Sequence, residues 1–218
     1  MNILAIETAT PMCSVALQVG DEVLERAELS PRGHANLLLP WIAELLAEAG
    51  LRYADLDRIV VGRGPGGFTS LRIGLSIAQG IALAHELPVV PVSSLDTLAQ
   101  SADPEGQHSR ILALIDARMG EVFVGAFRRG KEGLSLISPE AVVAPDRLKL
   151  PETGEWLLAG SGLAAYPELM QRNLAEPGVH AMPDAWPLAA HMLAPARRLP
   201  AMLAWEVEPI YVRDDVTS

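Results

Sequence analysis

The chain has 218 residues, half of them hydrophobic, which supports one large globular domain or two small lobes and excludes a disordered protein. No apolar run is long enough to cross a membrane. A formal net charge of −10 excludes a protein that grips a nucleic-acid backbone unaided, since its densest basic group, Arg128-Arg129-Gly130-Lys131, reads as a hairpin turn.

In chain order, Ile3 to Ile6 predicts a buried strand, with no basic region or cleavage site before it. Ser14 to Val19 predicts a second strand, Gly20-Asp21 a turn and Val23 to Glu28 a third, an antiparallel meander. Cys13 falls in this alternation and reads as a small core residue rather than a nucleophile. As the only cysteine it excludes an internal disulfide and fits a cytoplasmic protein. From His34 to Ala49, Leu38, Trp41, Ile42, Leu45, Leu46 and Ala49 recur at helical spacing until Gly50, with Pro40 expected to kink the first turn or mark the true start. A strand Arg58 to Val61, a glycine-rich loop, a helix Thr69 to Glu86, a strand Val89 to Val92 and a short helix Ser94 to Ser101 follow.

After a polar linker, Ala102 to Gln107, the opening repeats. Ile111 to Ala117 resembles Ile3 to Ala9, Glu121 to Phe127 matches the second strand, Gly130 to Gly133 its turn and Leu134 to Ser138 the third. The second copy then shows one clear strand, Trp156 to Ala159, and loose Pro- and Ala-rich sequence to about Pro200. The expected fold is therefore α/β and two-lobed, a duplication whose second lobe is reduced. The lobes divide as 1–102 and 108–218, with the terminal segment packing back on the first.

The glycine loop fits two nucleotide motifs by spacing and fails both in chemistry. Gly62, Gly64 and Gly67 match a dinucleotide fingerprint, but no acidic residue ends the next strand, Val89 to Val92. Gly62 to Thr69 matches a P-loop, but Phe68 stands where a lysine must neutralise phosphate. A tight turn that lets a helix pack closely on a sheet accounts for these glycines better.

A meander followed by alternating helices and strands, duplicated and opening on a strand, an acidic residue and a threonine, resembles the actin-like ATPase fold (RNase H-like). Within it, Ile3 to Thr10, Gly33-His34-Ala35, Gly64 to Gly74, Ile115 to Val122 and the ending Pro209-Ile210-Tyr211-Val212-Arg213 resemble the bacterial TsaB family of tRNA threonylcarbamoyladenosine biosynthesis proteins. Gly67 and Ser70 stand where that family more often has Ser and Gly. The resemblance covers the first 125 residues well and the rest weakly. It implies a non-catalytic partner of TsaD, which moves a threonylcarbamoyl group from its adenylate onto the adenosine beside the anticodon of tRNAs reading codons that begin with adenine. It also implies that TsaE joins the assembly, that the chain pairs with itself when TsaD is absent, and that tRNA is reached only indirectly.

The residues fit that implication. The first strand turn, Glu7-Thr8-Ala9-Thr10, lacks a glycine to close backbone N–H groups on phosphate, and the second, Asp116-Ala117-Arg118-Met119-Gly120, carries a bulky arginine. Gly160-Ser161-Gly162 is a weak adenosine-turn candidate. Glu7 and Asp116 fit strand-end structural hydrogen bonding better than a relict metal pair. His34, His85, His108, His180 and His191 never fall three to five apart, and no G-x-S-x-G elbow occurs. His34 at a helix start suits capping or partner contact. No catalytic, cofactor-binding or metal site is therefore expected. The helix Thr69 to Glu86 is apolar around most of its circumference, and the first helix keeps a second apolar patch in Leu37, Leu39 and Ala43. A partner interface is expected on these two helices, at Leu38, Trp41, Ile42, Leu45, Ile73, Ile77 and Ile81. The competing readings are a self-sufficient nucleotide-dependent enzyme, such as an actin-like ATPase or a dehydrogenase, and a peptidase, for which no nucleophile is recognisable.

Overall fold

The computed structural model describes residues 1–169 and 177–212. Two five-stranded mixed sheets carry the fold. The first is built from β1 (Asn2–Glu7), β2 (Met12–Val19), β3 (Glu22–Leu29), β4 (Arg58–Gly62) and β5 (Val89–Val92), in the order β3-β2-β1-β4-β5. The second contains β6 (Arg110–Arg118), β7 (Glu121–Gly130), β8 (Gly133–Val143), β9 (Trp156–Ala159) and β10 (Val179–Met182), in the order β10-β9-β6-β7-β8. Read from opposite edges, these orders are the same. In each sheet the central strand pairs antiparallel with the next strand and parallel with the crossover strand. The second sheet thus lacks no strand: β10, absent from the sequence reading, is the counterpart of β5.

Among the described residues five α-helices dress the sheets: α1 (His34–Glu48), α2 (Phe68–His85), α3 (Ser94–Ala102), α4 (Ser161–Ala165) and α5 (Leu193–Ala196). On one face of the first sheet Leu4, Ile6, Val15 and Leu17 meet Leu38, Ile42 and Leu45 of α1 and Leu71, Leu75 and Ala78 of α2. The alternate residues Ile3, Ala5, Ala16, Val60 and Val90 face the other way, as the two-residue period of a strand requires. Those residues are covered by Ala189, Met192, Leu193 and Ala196. The helix α1 runs through Pro40, which is exposed, so the missing N–H leaves an acceptor open to water rather than an unpaired group in the core. Cys13 is fully buried, and its thiol is pushed up to about 12 by burial, with Glu28 and Glu7 adding to the shift.

Packing crosses the division that the sequence suggests at residue 102. The helix α3 is capped by Ser93, whose Oγ accepts from Leu95 and Asp96 N–H, and it buries Leu95, Leu98, Ala99 and Ala102 against the second sheet. In return, residues 189–196 cover the first sheet. Residues 202–212 then return along α2: Met202 bridges Val89, Gln79 Nε2 donates to the carbonyls of Ala204 and Val207 at 3.0 Å, and Ile210 N–H donates to Arg63 O at 2.9 Å. Asp103 fixes the linker to the second sheet by accepting from Gln107 N–H, His108 N–H and Arg129 Nη2 at 2.8–2.9 Å.

Candidate interaction surface and interlobe cleft

The glycine loop closes over the first strand turn. Gly67 N–H donates to Ala9 O at 2.7 Å, and a Cβ at Gly66 would collide with that same carbonyl. A Cβ at Gly62 would strike the Glu7 carboxylate, and one at Gly74 would strike the Thr8 hydroxyl. The glycines therefore serve close packing of a helix start on a strand end. Beneath them Glu7 is fully buried, accepting from Ala9 N–H at 2.7 Å and Ser94 Oγ–H at 2.9 Å. Burial pushes its carboxyl up to about 7, against the hydrogen bonds that favour the ionised form.

The second turn is open. Asp116 accepts from Arg118 N–H at 2.8 Å and pairs with the Arg118 guanidinium at 3.2 Å, while Met119 is 82% exposed. Both strand-end acids thus make hydrogen bonds within their own turns. Gly160 and Gly162 let α4 approach β6, where added Cβ atoms would meet Leu114 and Leu98, or Val122. Between the two turns lies a cleft of about 680 Å³, lined by Thr10, His34 and Phe68 from one side, Ile115 and Arg118 from the other, and Trp186 near the chain's return.

His34 neither caps its helix nor faces outward. It is buried, with Nε2 3.0 Å from Thr10 O, and so ties the start of α1 to the first turn. His85 is exposed and stacks on Tyr53 at 5.9 Å. The fold brings His108 and His180 to 5.8 Å although they are distant in sequence. Among the described residues no three His, Cys, Asp or Glu side chains group as metal ligands do.

The expected interface residues separate into two groups. Leu38, Ile42 and Leu45 are fully buried against the first sheet, so they belong to the core and present nothing to a partner. The correction has a simple cause: the strongest apolar stripe of a helix is the one its own sheet takes. Trp41, Ile73, Ile77 and Ile81 are half-buried and pack on the edge of that core. The exposed residues of α1 include Leu39, Pro40 and Ala43, and those of α2 include Leu83 and the row Arg72, Ser76, Gly80 and Ala84 at four-residue spacing. Nothing lies within 4 Å of a Cβ placed on Gly80. A glycine inside a helix costs about 1 kcal/mol relative to alanine, and the surroundings of Gly80 give no compensation. At the start of this row the Arg72 guanidinium lies 3.5 Å over the Phe68 ring and donates through Nε to Tyr211 Oη at 3.0 Å. The sequence reading missed that cluster, because Arg72 and Tyr211 are 139 residues apart. Arg213, the last residue of the terminal motif, lies outside the described residues.

Two lobes on one strand order, with a cleft between their strand-end turns, define a duplicated actin-like α/β protein. The tRNA threonylcarbamoyladenosine biosynthesis protein TsaB of Escherichia coli is 39% identical over 99% of this chain and 96% of its own length, and the Haemophilus influenzae protein of the same name is 35% identical over 100% and 95%. The chain belongs to the TsaB family. A family model described as TsaD, tRNA N6-adenosine threonylcarbamoyltransferase, also matches residues 23–196. The solved structure of YeaZ from Pseudomonas aeruginosa superposes with a TM-score of 0.89 at 38% identity, over 96% of this chain and 99% of that one. No helix among the described residues is long and apolar enough to cross a membrane.

Proposed function

We propose that this chain acts in tRNA threonylcarbamoyladenosine biosynthesis as a cytoplasmic, non-catalytic subunit that binds and stabilises TsaD, with TsaE joining the assembly. TsaD performs the transfer to the adenosine beside the anticodon, and this chain meets tRNA only through it. In the absence of TsaD the same surface pairs two copies. The observation that carries this reading is the exposed row Ser76, Gly80 and Ala84 on α2, flanked by Ile73, Ile77 and Ile81, with Leu39 and Ala43 exposed on α1. Small residues there let a partner helix approach closely, and apolar flanks reward its burial. The collar of glycines over the first turn supports the absence of chemistry: the Gly67 N–H is spent on Ala9 O rather than held for a phosphate.

One observation favours the alternative of a nucleotide-dependent enzyme, the 680 Å³ cleft between the turns. The test separates the two. Gly80→Glu places a charge on an open helix position, so the chain should stay folded and lose both its self-association and its binding to TsaD. Cells carrying only that variant should lack threonylcarbamoyladenosine in tRNA. Normal modification with Gly80→Glu would refute the surface, and tight ATP binding with turnover by the isolated chain would establish the enzyme instead.

A further inference from the structure

The N-terminal end of α2 carries an exposed cluster of one cation and two aromatic rings. Phe68 is 59% exposed and Tyr211 50%, in a chain with only three phenylalanines and three tyrosines. Their ring centroids are 5.9 Å apart, and the Arg72 guanidinium sits 3.5 Å from the Phe68 centroid and 5.7 Å from that of Tyr211. Arg72 Nε is committed to Tyr211 Oη. Among the described residues no carboxylate pairs with Arg72, although acidic side chains outnumber basic ones 27 to 17. Among the described residues its two terminal NH₂ groups, the end-on fork that fits a planar oxyanion, thus meet no carboxylate.

We propose that Arg72, held over the Phe68 ring and hydrogen-bonded to Tyr211, is an anchor that takes a carboxylate from the protein docking on α2. The proposal rests on the reading above that a protein docks there, and adds the residue and the chemistry that fix its position. Arginine and aromatic side chains are the residues that concentrate binding energy, and one already held by stacking loses little freedom when a partner arrives. Arg72 also begins the exposed row that continues through Ser76 and Gly80, so one rigid helix presents both the cation and the close-approach surface. An oxyanion can be a carboxylate or a phosphate. A net charge of −10 repels an RNA strand, which needs several cations along its backbone, whereas a single carboxylate needs only one.

The test measures TsaD affinity at low and high salt for the wild-type chain and for Arg72→Ala, Arg72→Lys, Tyr211→Phe and Gly80→Glu, with melting curves to confirm folding. Arg72→Ala should weaken binding roughly thirtyfold and flatten its salt dependence. Arg72→Lys should recover little of this, since an ammonium cannot supply the stacked fork, and Tyr211→Phe should cost a few-fold. Arg72→Ala within twofold of wild type, with Gly80→Glu still disruptive, overturns the anchor and leaves the docking surface standing. A wild-type chain that fails to bind TsaD overturns both. Unchanged TsaD binding with weakened tRNA binding by the complex would reassign Arg72 to an RNA phosphate.

Discussion

The turns that follow β1 and β6 occupy equivalent places in the two halves, yet one has become core and the other has stayed surface. After β1, Glu7 is sealed under Gly62, Gly66, Gly67 and Gly74 and bonded to Ser94 from the chain that leads into the other lobe. After β6, Arg118 and Met119 adopt left-handed backbone conformations, and Met119 stands in solvent. Duplication kept the strand order, and the packing over each turn decided what its acidic residue could do. A carboxyl under a glycine collar is a structural acid, while one beside its own arginine keeps a part-buried ion pair whose guanidinium faces water.

Glycine substitutions would test this contrast most severely. Gly66→Val forces a side chain into the Ala9 carbonyl and should cost about 3–5 kcal/mol, enough to abolish a clear unfolding transition at 37 °C. Gly120→Ala, with open space around it and φ of +80°, should cost only about 1 kcal/mol. Equal urea midpoints for the two variants would remove the distinction between the turns.

The buried acid can be read through pH. Because the folded state holds Glu7 protonated up to about pH 7 while the unfolded chain ionises near 4.5, stability is complete below 4.5 and falls as pH rises towards 7. The loss is on the order of 3 kcal/mol, and Glu7→Gln should flatten it when unfolding midpoints are compared at pH 5 and 8. Asp103 in the linker should behave in the opposite sense. Burial raises its carboxyl, but the His108 and Gln107 N–H groups and the Arg129 guanidinium outweigh that and hold it below the usual range. Its contribution is present at neutral pH and is lost as pH falls through the acid range. Asp103→Asn should cost roughly 2 kcal/mol by calorimetry at pH 7. A last contrast sets two glycines of one helix against each other. Gly80→Ala should stabilise the isolated chain by up to about 1 kcal/mol, whereas Gly74→Ala should destabilise it, since its Cβ meets Thr8.

The meander, the helices α1, α2 and α3 and the strand β9 were legible because each carries its own periodicity or punctuation. The strand β10 was not. Four residues, Val179 to Met182, give too short a pattern, and they form a strand only by pairing with β9. The covering role of Ala189 to Ala196 was hidden for a similar reason, since its apolar residues have meaning only against a sheet made some hundred residues earlier. In the interface, periodicity selected Leu38, Ile42 and Leu45, which are core, because hydrophobic signal marks what is buried in the monomer. The row Ser76, Gly80 and Ala84 has almost no such signal. Small residues on α2 can be read from the sequence, but Gly74, Ala78 and Ala82 are buried while Ser76, Gly80 and Ala84 are exposed, a division that only the packing decides.

The exchange of covering segments between the lobes has a consequence for synthesis. When β5 leaves the ribosome, one face of its sheet, Ile3, Ala5, Val60, Val90 and Val92, has no cover until Met192 to Ala196 emerge. At translation rates of 5–20 residues per second, the roughly hundred intervening residues take about 5–20 s. During that interval the nascent first lobe displays a β-branched apolar sheet, a surface that favours aggregation until it is covered. Neither lobe can be finished alone, so the chain becomes stable only when nearly all of it has been made.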